Sequence, residues 1–196
     1  MATQQILPHD PATATLYISF SAEINVNTTE SLLAAFAGKL NEGYRNFYLL
    51  LSTPGGVVMN GLNLYNTLCG LPIHLTTHNV GNVDSIGNAL FLSGTTRYAC
   101  PHSTFMFHGV SFNAANGQNF DERGVRERLA SILSDQKKIG SIVQDRTTLP
   151  LRRIRAMFRE ARTIDAATAV SAGIVHEIRE VQIPAGAPVF QLVFKR

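Results

Sequence analysis

The sequence has no tryptophan and only two cysteines, Cys69 and Cys100, in 196 residues. Neither thiol has a neighbour at metal-binding or redox-motif spacing, so the pair reads as buried free thiols in a reducing compartment. Charge is also scarce, at 16% against 45% apolar residues. So few charges favour a folded subunit that hides part of its surface against copies of itself. No apolar run approaches the roughly 18–20 residues of a membrane span. The start, MATQQILPHDPATATLYISF, lacks a basic segment leading into an apolar one. Neither a membrane anchor nor a signal peptide is expected, and the location is read as cytoplasmic. Repeats, linkers and low-complexity tracts are absent as well, and the length suits one domain over residues 1–196.

What charge there is lies unevenly. The net charge is +3, and residues 121–162 hold eleven Lys/Arg against six Asp/Glu, including RRIRAMFRE at 152–160. A solvated or interfacial helix face accounts for this; no aromatic interleaving or recognition motif points to nucleic acid.

Periodicity gives an α/β chain. LYISFSAEI (16–24) reads as a strand, and residues 27–43 as an amphipathic helix with a capping box from Asn27 to Glu30 and a closing Gly43. NFYLLLS (46–52) is a strand apolar on both faces, as in a covered parallel sheet. The next helix has Val58, Leu62, Tyr65 and Cys69 on one face, and IHLTTHNV (73–80) is a third strand running into a further helix. Short strands follow near 95–100 and 103–109, then a long helix at 120–146 with Val125, Leu129, Ile132, Ile139 and Val143 near heptad spacing. Pro150 opens another helix, residues 165–173 form a small one capped by Asp165, and IVHEI and PVFQLVF are strands, the latter within a C-terminal segment at 179–196. Strands alternating with helices imply right-handed crossovers and a layered α/β domain.

Three stretches stand where strands end: Gly55-Gly56, Asp84-Ser85-Ile86-Gly87 and Met106-Phe107-His108-Gly109. Ligands in such folds gather outside the carboxyl ends of strands. Two adjacent glycines after Pro54 suggest a backbone whose N–H groups are left free to point at something. Ser85 opens a helix, so its hydroxyl projects at the positive end, although the ordinary reading of such a serine is an N-cap. A nucleophile elbow wants glycine two residues earlier, where Val83 stands. His108, taken singly, reads as a core histidine. His74 and His78 share a strand face but have no third ligand, so no metal site is expected.

Taken together and in order, STPGGVVMNGLNLYNTL, GNVDSIGNALFLSGTTRYACPHSTFMFH, the long helix and AATAVSAGIVHEI resemble the ClpP family of serine peptidases over about residues 16–178. That family shows a Ser-Pro-Gly-Gly loop, a helix-starting serine before Met-Gly-Ala, a Pro-Asn-Ser-x-x-Met-Ile-His stretch and Ala-x-Glu-Ala-x-x-x-Gly-Leu-Ile-Asp. The resemblance implies a ClpP/crotonase-like fold of repeated ββα/βαβ units in layers, with the 120–146 helix as a protruding handle that pairs two rings. It implies Ser85 as nucleophile, His108 as general base, and the N–H groups of Gly56 and Ile86 as oxyanion hole, acting without cofactor or metal. It implies homo-oligomeric rings cutting peptides or unfolded polypeptides, and an AAA+ unfoldase partner.

The chain departs from the family pattern at several points. The family's third acid stands four residues before the cap of the last small helix; counting back from Asp165 gives Ala161. Glu160, one residue away, and Asp165 itself are the substitutes at hand. Asp84 places a carboxylate beside Ser85, where it would oppose negative charge building on the substrate. Residues 1–15 look unlike the segment that engages an unfoldase, which argues against dependence on one. Two readings follow: a self-compartmentalising serine endopeptidase, or a ClpP-fold oligomeric scaffold with impaired catalysis. An acyl-CoA-binding crotonase is disfavoured by the matching serine and histidine. A Ser/Lys dyad fares worse, because none of the four lysines lies by the proposed site.

Overall fold

The computed structural model describes residues 10–112 and 119–194. Strand β1 (Thr15–Ser21) leads through helix α1 (Val26–Asn41) to β2 (Asn46–Thr53), and helix α2 (Val58–Gly70) leads to β3 (His74–Asp84). These three strands pair in parallel, as the alternation of strand and helix requires. After α3 (Gly87–Leu92) come the short strands β4 (Thr96–Ala99) and β5 (Thr104–Phe107), then the long α4 (Glu122–Arg146) and α5 (Leu151–Glu160). Strand β6 (Arg162–Asp165), helix α6 (Ala166–Ser171), β7 (Glu177–Ile178) and β8 (Val189–Gln191) complete the chain. The sheet has eight strands in the order β6-β5-β3-β2-β1-β8, with β4 set between β3 and β7. No helix among the described residues is long and apolar enough to cross a membrane.

Strand β3 is longer than its apolar pattern suggests, and this positions the site. Its first half pairs with β4, Thr76 to Asn79 against Thr96 to Ala99. The register against β2 then shifts, and its second half pairs with β5, Asn82 to Asp84 against Thr104 to Met106. One strand thus carries the chain past the point where Gly81 and Asn82 seem to end it, because two different partners take up its hydrogen bonds in turn.

Local details also differ from the sequence reading. The capping box of α1 is Asn25 with Thr28, not Asn27 with Glu30: Asn25 Oδ1 accepts from Thr28 N at 3.1 Å, and Thr28 Oγ1 accepts from Asn25 N at 2.9 Å. A bridge between Ile24 and Gly56 fixes the chain up to Ile24, so the helix starts at once. In α2 the inward face is Gly61, Leu62, Leu64 and Leu68, which leaves Cys69 exposed rather than buried. Strand β2 buries Phe47, Leu49 and Leu51 under helices, whereas Tyr48, Leu50 and Ser52 face a side only half covered within one chain. In α4 burial is confined to Ile139, Gly140, Ile142 and Val143, and the stripe residues Val125 and Leu129 are more than half exposed.

Two arginines close the far side of the core. Buried Arg97 donates to the carbonyls of Ile174 (2.7 Å), Gly94 (3.2 Å), Arg146 (3.0 Å) and Gly173 (3.1 Å). Arg146 donates to Leu92 (3.0 Å) and Gly94 (2.9 Å). These oxygens lie at the ends of α3, α4 and α6, where carbonyls have no intrahelical partner and the helix dipole is negative. Burial, with Arg146 beside it, pushes the Arg97 guanidinium down to about 10, still charged at neutral pH.

Candidate active site

The backbone at Ser85 is the first unusual feature. Its φ is +55°, in the left-handed region, which among the described non-glycine residues only Ala161 shares. That conformation costs an ordinary residue about 1–2 kcal/mol and persists where surrounding structure enforces it. Ser85 is therefore not the N-cap of α3: Ile86 takes that position, without a side-chain bond. Ser85 occupies a sharp strand-to-helix turn, with its N–H donating to Met106 O at 2.8 Å. Gly55 makes the room that glycine two residues upstream would otherwise supply. A Cβ on Gly55, whose φ is +87°, would lie 2.7 Å from both Ser85 Cβ and Asp84 O.

Asn88 holds this turn closed, and the sequence reading did not single it out. Its Nδ2 donates to Ser85 O at 3.0 Å and to Met106 O at 2.9 Å, joining the turn to the end of β5. Asn88 is buried, and its Oδ1 has no partner among the described residues. An orphaned buried acceptor costs about 1–3 kcal/mol, so the residue is not there for packing alone. The signal in the sequence is one amide inside the otherwise apolar run GNALFL.

His108 leaves the sheet next to this turn, since the β3–β5 register sets Asp84 beside Met106. Ser85, His108 and Gly56 line one cavity of about 60 Å³, with Phe107, Ile139 and Phe158 among its apolar walls. His108 Nδ1 lies 2.8 Å from Gly109 O. A carbonyl only accepts, so Nδ1 carries a proton, and in the neutral ring Nε2 keeps its lone pair. Gly56, at φ +144°, is exposed to this cavity. Ile24 takes the Val57 N–H (2.8 Å) and gives its own N–H to Gly55 O (2.7 Å), leaving the Gly56 N–H without an acceptor among the described residues. The Ile86 N–H, at the start of α3, has none either.

Among the described residues no carboxylate is hydrogen-bonded to His108, whose Nδ1 meets the Gly109 carbonyl instead. Strands β5 and β6 are antiparallel and end with Phe107 opposite Arg162, so His108 and Ala161 each stand one residue beyond the last pair. Glu160 is half exposed and ion-paired to Arg162 at 3.6 Å. Asp165 pairs with Thr104 at the other end of the ladder, about 13 Å from His108 at strand spacing. There it caps α6, accepting from Thr168 N at 2.8 Å, and hydrogen bonds from Thr168 hold its carboxyl below the usual range. Asp84 is tied back as well: its Oδ2 accepts from Asn82 Nδ2 at 2.7 Å, and it does not line the cavity. Ser85, His108 and Gly56 line one cavity with Ile86 next to Ser85 in the chain, and Glu160 and Asp165 are not among its lining residues.

The carboxyl ends of a mostly parallel sheet thus gather a serine on a left-handed turn, a histidine and, among the described residues, two backbone N–H groups without acceptors. The family model for Clp protease matches residues 10–182. The chain belongs to the Clp protease family and has the ClpP fold.

Proposed function

We propose that this chain is a serine endopeptidase acting through Ser85 and His108 without a carboxylate third member. The observation that carries the reading is the strained Ser85 turn sharing a cavity with a histidine whose Nε2 is free. His108 Nε2 takes the Ser85 proton as Oγ attacks the scissile carbonyl, which requires an approach of about 3 Å. The Gly56 and Ile86 N–H groups receive the oxyanion, each such donor being worth about 10²–10³ in rate. His108 then returns the proton to the leaving amine, and water hydrolyses the acyl-enzyme by the same route. The Gly109 carbonyl holds the imidazole tautomer in place of a carboxylate, but without its negative charge.

A cleft of about 640 Å³ continues from the cavity past Gly56, Val58, Val110 and Ser111 to Phe112 and Arg128, and suits an extended peptide. Exposed Val125, Leu129 and Leu133 on α4 support assembly of copies into rings; sedimentation velocity checks this, and a monomer at micromolar concentration counts against it. The second reading, an oligomeric scaffold with impaired catalysis, rests on an alanine, Ala161, just before the Arg162 that closes the ladder next to His108. A serine-directed fluorophosphonate probe, read by intact mass on wild type, Ser85→Ala and His108→Ala, separates the two. Fast labelling of wild type alone is expected. Labelling of wild type no faster than Ser85→Ala gives the scaffold reading.

A further inference from the structure

On the other side of Gly109 from the peptide cleft, α4 and α5 enclose a groove of about 910 Å³. Lys137, Arg152, Arg155 and Arg159 line it, all exposed, and no acid does. None of the four has an ion-pair partner among the described residues. The nearest acids are engaged elsewhere, Glu160 with Arg162 at 3.6 Å and Asp135 with Lys138 at 2.9 Å. Four like charges crowded without counter-ions repel one another, and an anionic occupant relieves that repulsion. The floor between them is apolar, formed by Ile154, Leu151 and Phe158, and Phe158 also walls the Ser85 cavity.

We infer that this groove is a subsite for an acid-bearing stretch of the polypeptide being cut. The inference deepens the peptidase reading and rests on it. Polypeptide fits better than nucleic acid, because the groove alternates cations with buried apolar floor and offers no exposed aromatic face for stacking bases. A second copy of the chain fits less well at the first turns of its α4, where Glu122 is paired to Arg126 and Glu127 to Arg123. The groove starts at Gly109, so a chain lying in it is delivered directly beside His108.

The test is fluorescence anisotropy on Ser85→Ala protein, with a labelled peptide alternating glutamate and leucine and its glutamine-for-glutamate match. Binding is thereby read without turnover, so a failed peptidase reading leaves this result standing and the reverse. The glutamate peptide should bind at least about tenfold more tightly, and the preference should vanish in Arg152→Gln/Arg155→Gln/Arg159→Gln and fade with added salt. Fluorophosphonate labelling of Ser85 in that triple variant should be unchanged, which shows the site intact. Equal affinity for the two peptides, or a preference that survives the triple variant, overturns the inference. Tighter binding of a single-stranded oligonucleotide than of the glutamate peptide reassigns the groove to nucleic acid. A triple variant that loses assembly, with no peptide bound by its parent, reassigns it to a second copy.

Discussion

Ala161 is the residue on which catalytic power turns. It stands just before β6, whose Arg162 makes the last rung of the β5–β6 ladder with Phe107, and its backbone is left-handed, at φ +49° and ψ +56°. Among side chains other than glycine, aspartate and asparagine enter that region most readily. One residue beyond the last rung stand Ala161 on one strand end and His108 on the other. Ala161→Asp therefore supplies an acceptor that competes with Gly109 O for the Nδ1 proton and adds the negative charge that stabilises an imidazolium. Losing this member from a complete triad costs about 10⁴ in rate, so restoring it should raise the labelling rate of Ser85 by at least about tenfold. The check is the second-order rate constant with the fluorophosphonate probe. No change, in a variant that keeps the wild-type melting temperature, means that His108 is not the base or that Gly109 already does all an acid could.

At the scale of elements the catalytic geometry is a junction of two strand ends, and Asn88 is the fastener. Its two amide protons tie the turn after β3 to the last residues of β5, so the nucleophile and base move together. Asn88→Ala should lower stability only modestly, since it also removes an unpartnered buried oxygen. It should slow Ser85 labelling by about 10–10²-fold, the cost of an ångström of misplacement. Labelling rate and melting temperature measured together decide: loss of both in proportion would make Asn88 a packing residue. The helices, the parallel β1–β2–β3 core and the three loop stretches were legible in the sequence, because 3.6-residue and two-residue periodicities are local. The division of β3 between β4 and β5 was not, since each half pairs with residues at least twenty positions away. Nor was the turn at Ser85. Val83 hides it, and the space it needs comes from Gly55, thirty residues earlier on a different strand end. Ala161 was found by counting; the register adds that Asp165 pairs with Thr104, at the far end of the ladder from Phe107, and that Glu160 is ion-paired to Arg162.

For the whole molecule, stability should depend on pH through a histidine far from the catalytic pair. His78 is fully buried on the sheet face opposite the helices, between Tyr48 and Tyr98. Tyr48 is pushed up to about 12, mainly by burial, and stays protonated; its Oη lies 2.7 Å from His78 Nδ1 and donates to it. Nε2 then holds the proton and gives it to Arg179 O at 3.1 Å, with Cys100 Sγ 3.5 Å away. Burial is the largest influence on the ring and, with the nearby Arg179 charge, lowers the His78 pKa from its ordinary value, while the bond to Arg179 O and the Glu180 charge pull the other way. The unfolded chain protonates near pH 6.5 while the folded chain resists, so below that pH the unfolded state binds the extra proton. Stability is therefore complete above about pH 7 and falls as the pH drops toward 5, by at most about 1.4 kcal/mol per pH unit for one proton. His176, lowered by its own burial and then by Arg97, adds in the same direction. Urea unfolding at pH 5, 6, 7 and 8 should show this slope in wild type. In His78→Phe, which fills the space but cannot titrate, overall stability should be lower for want of two hydrogen bonds, yet the slope between pH 5 and 7 should be shallower. An unchanged slope in that variant would move the pH dependence to His176 and the carboxylates, and would mean that the Tyr48–His78–Arg179 chain accommodates a charged ring.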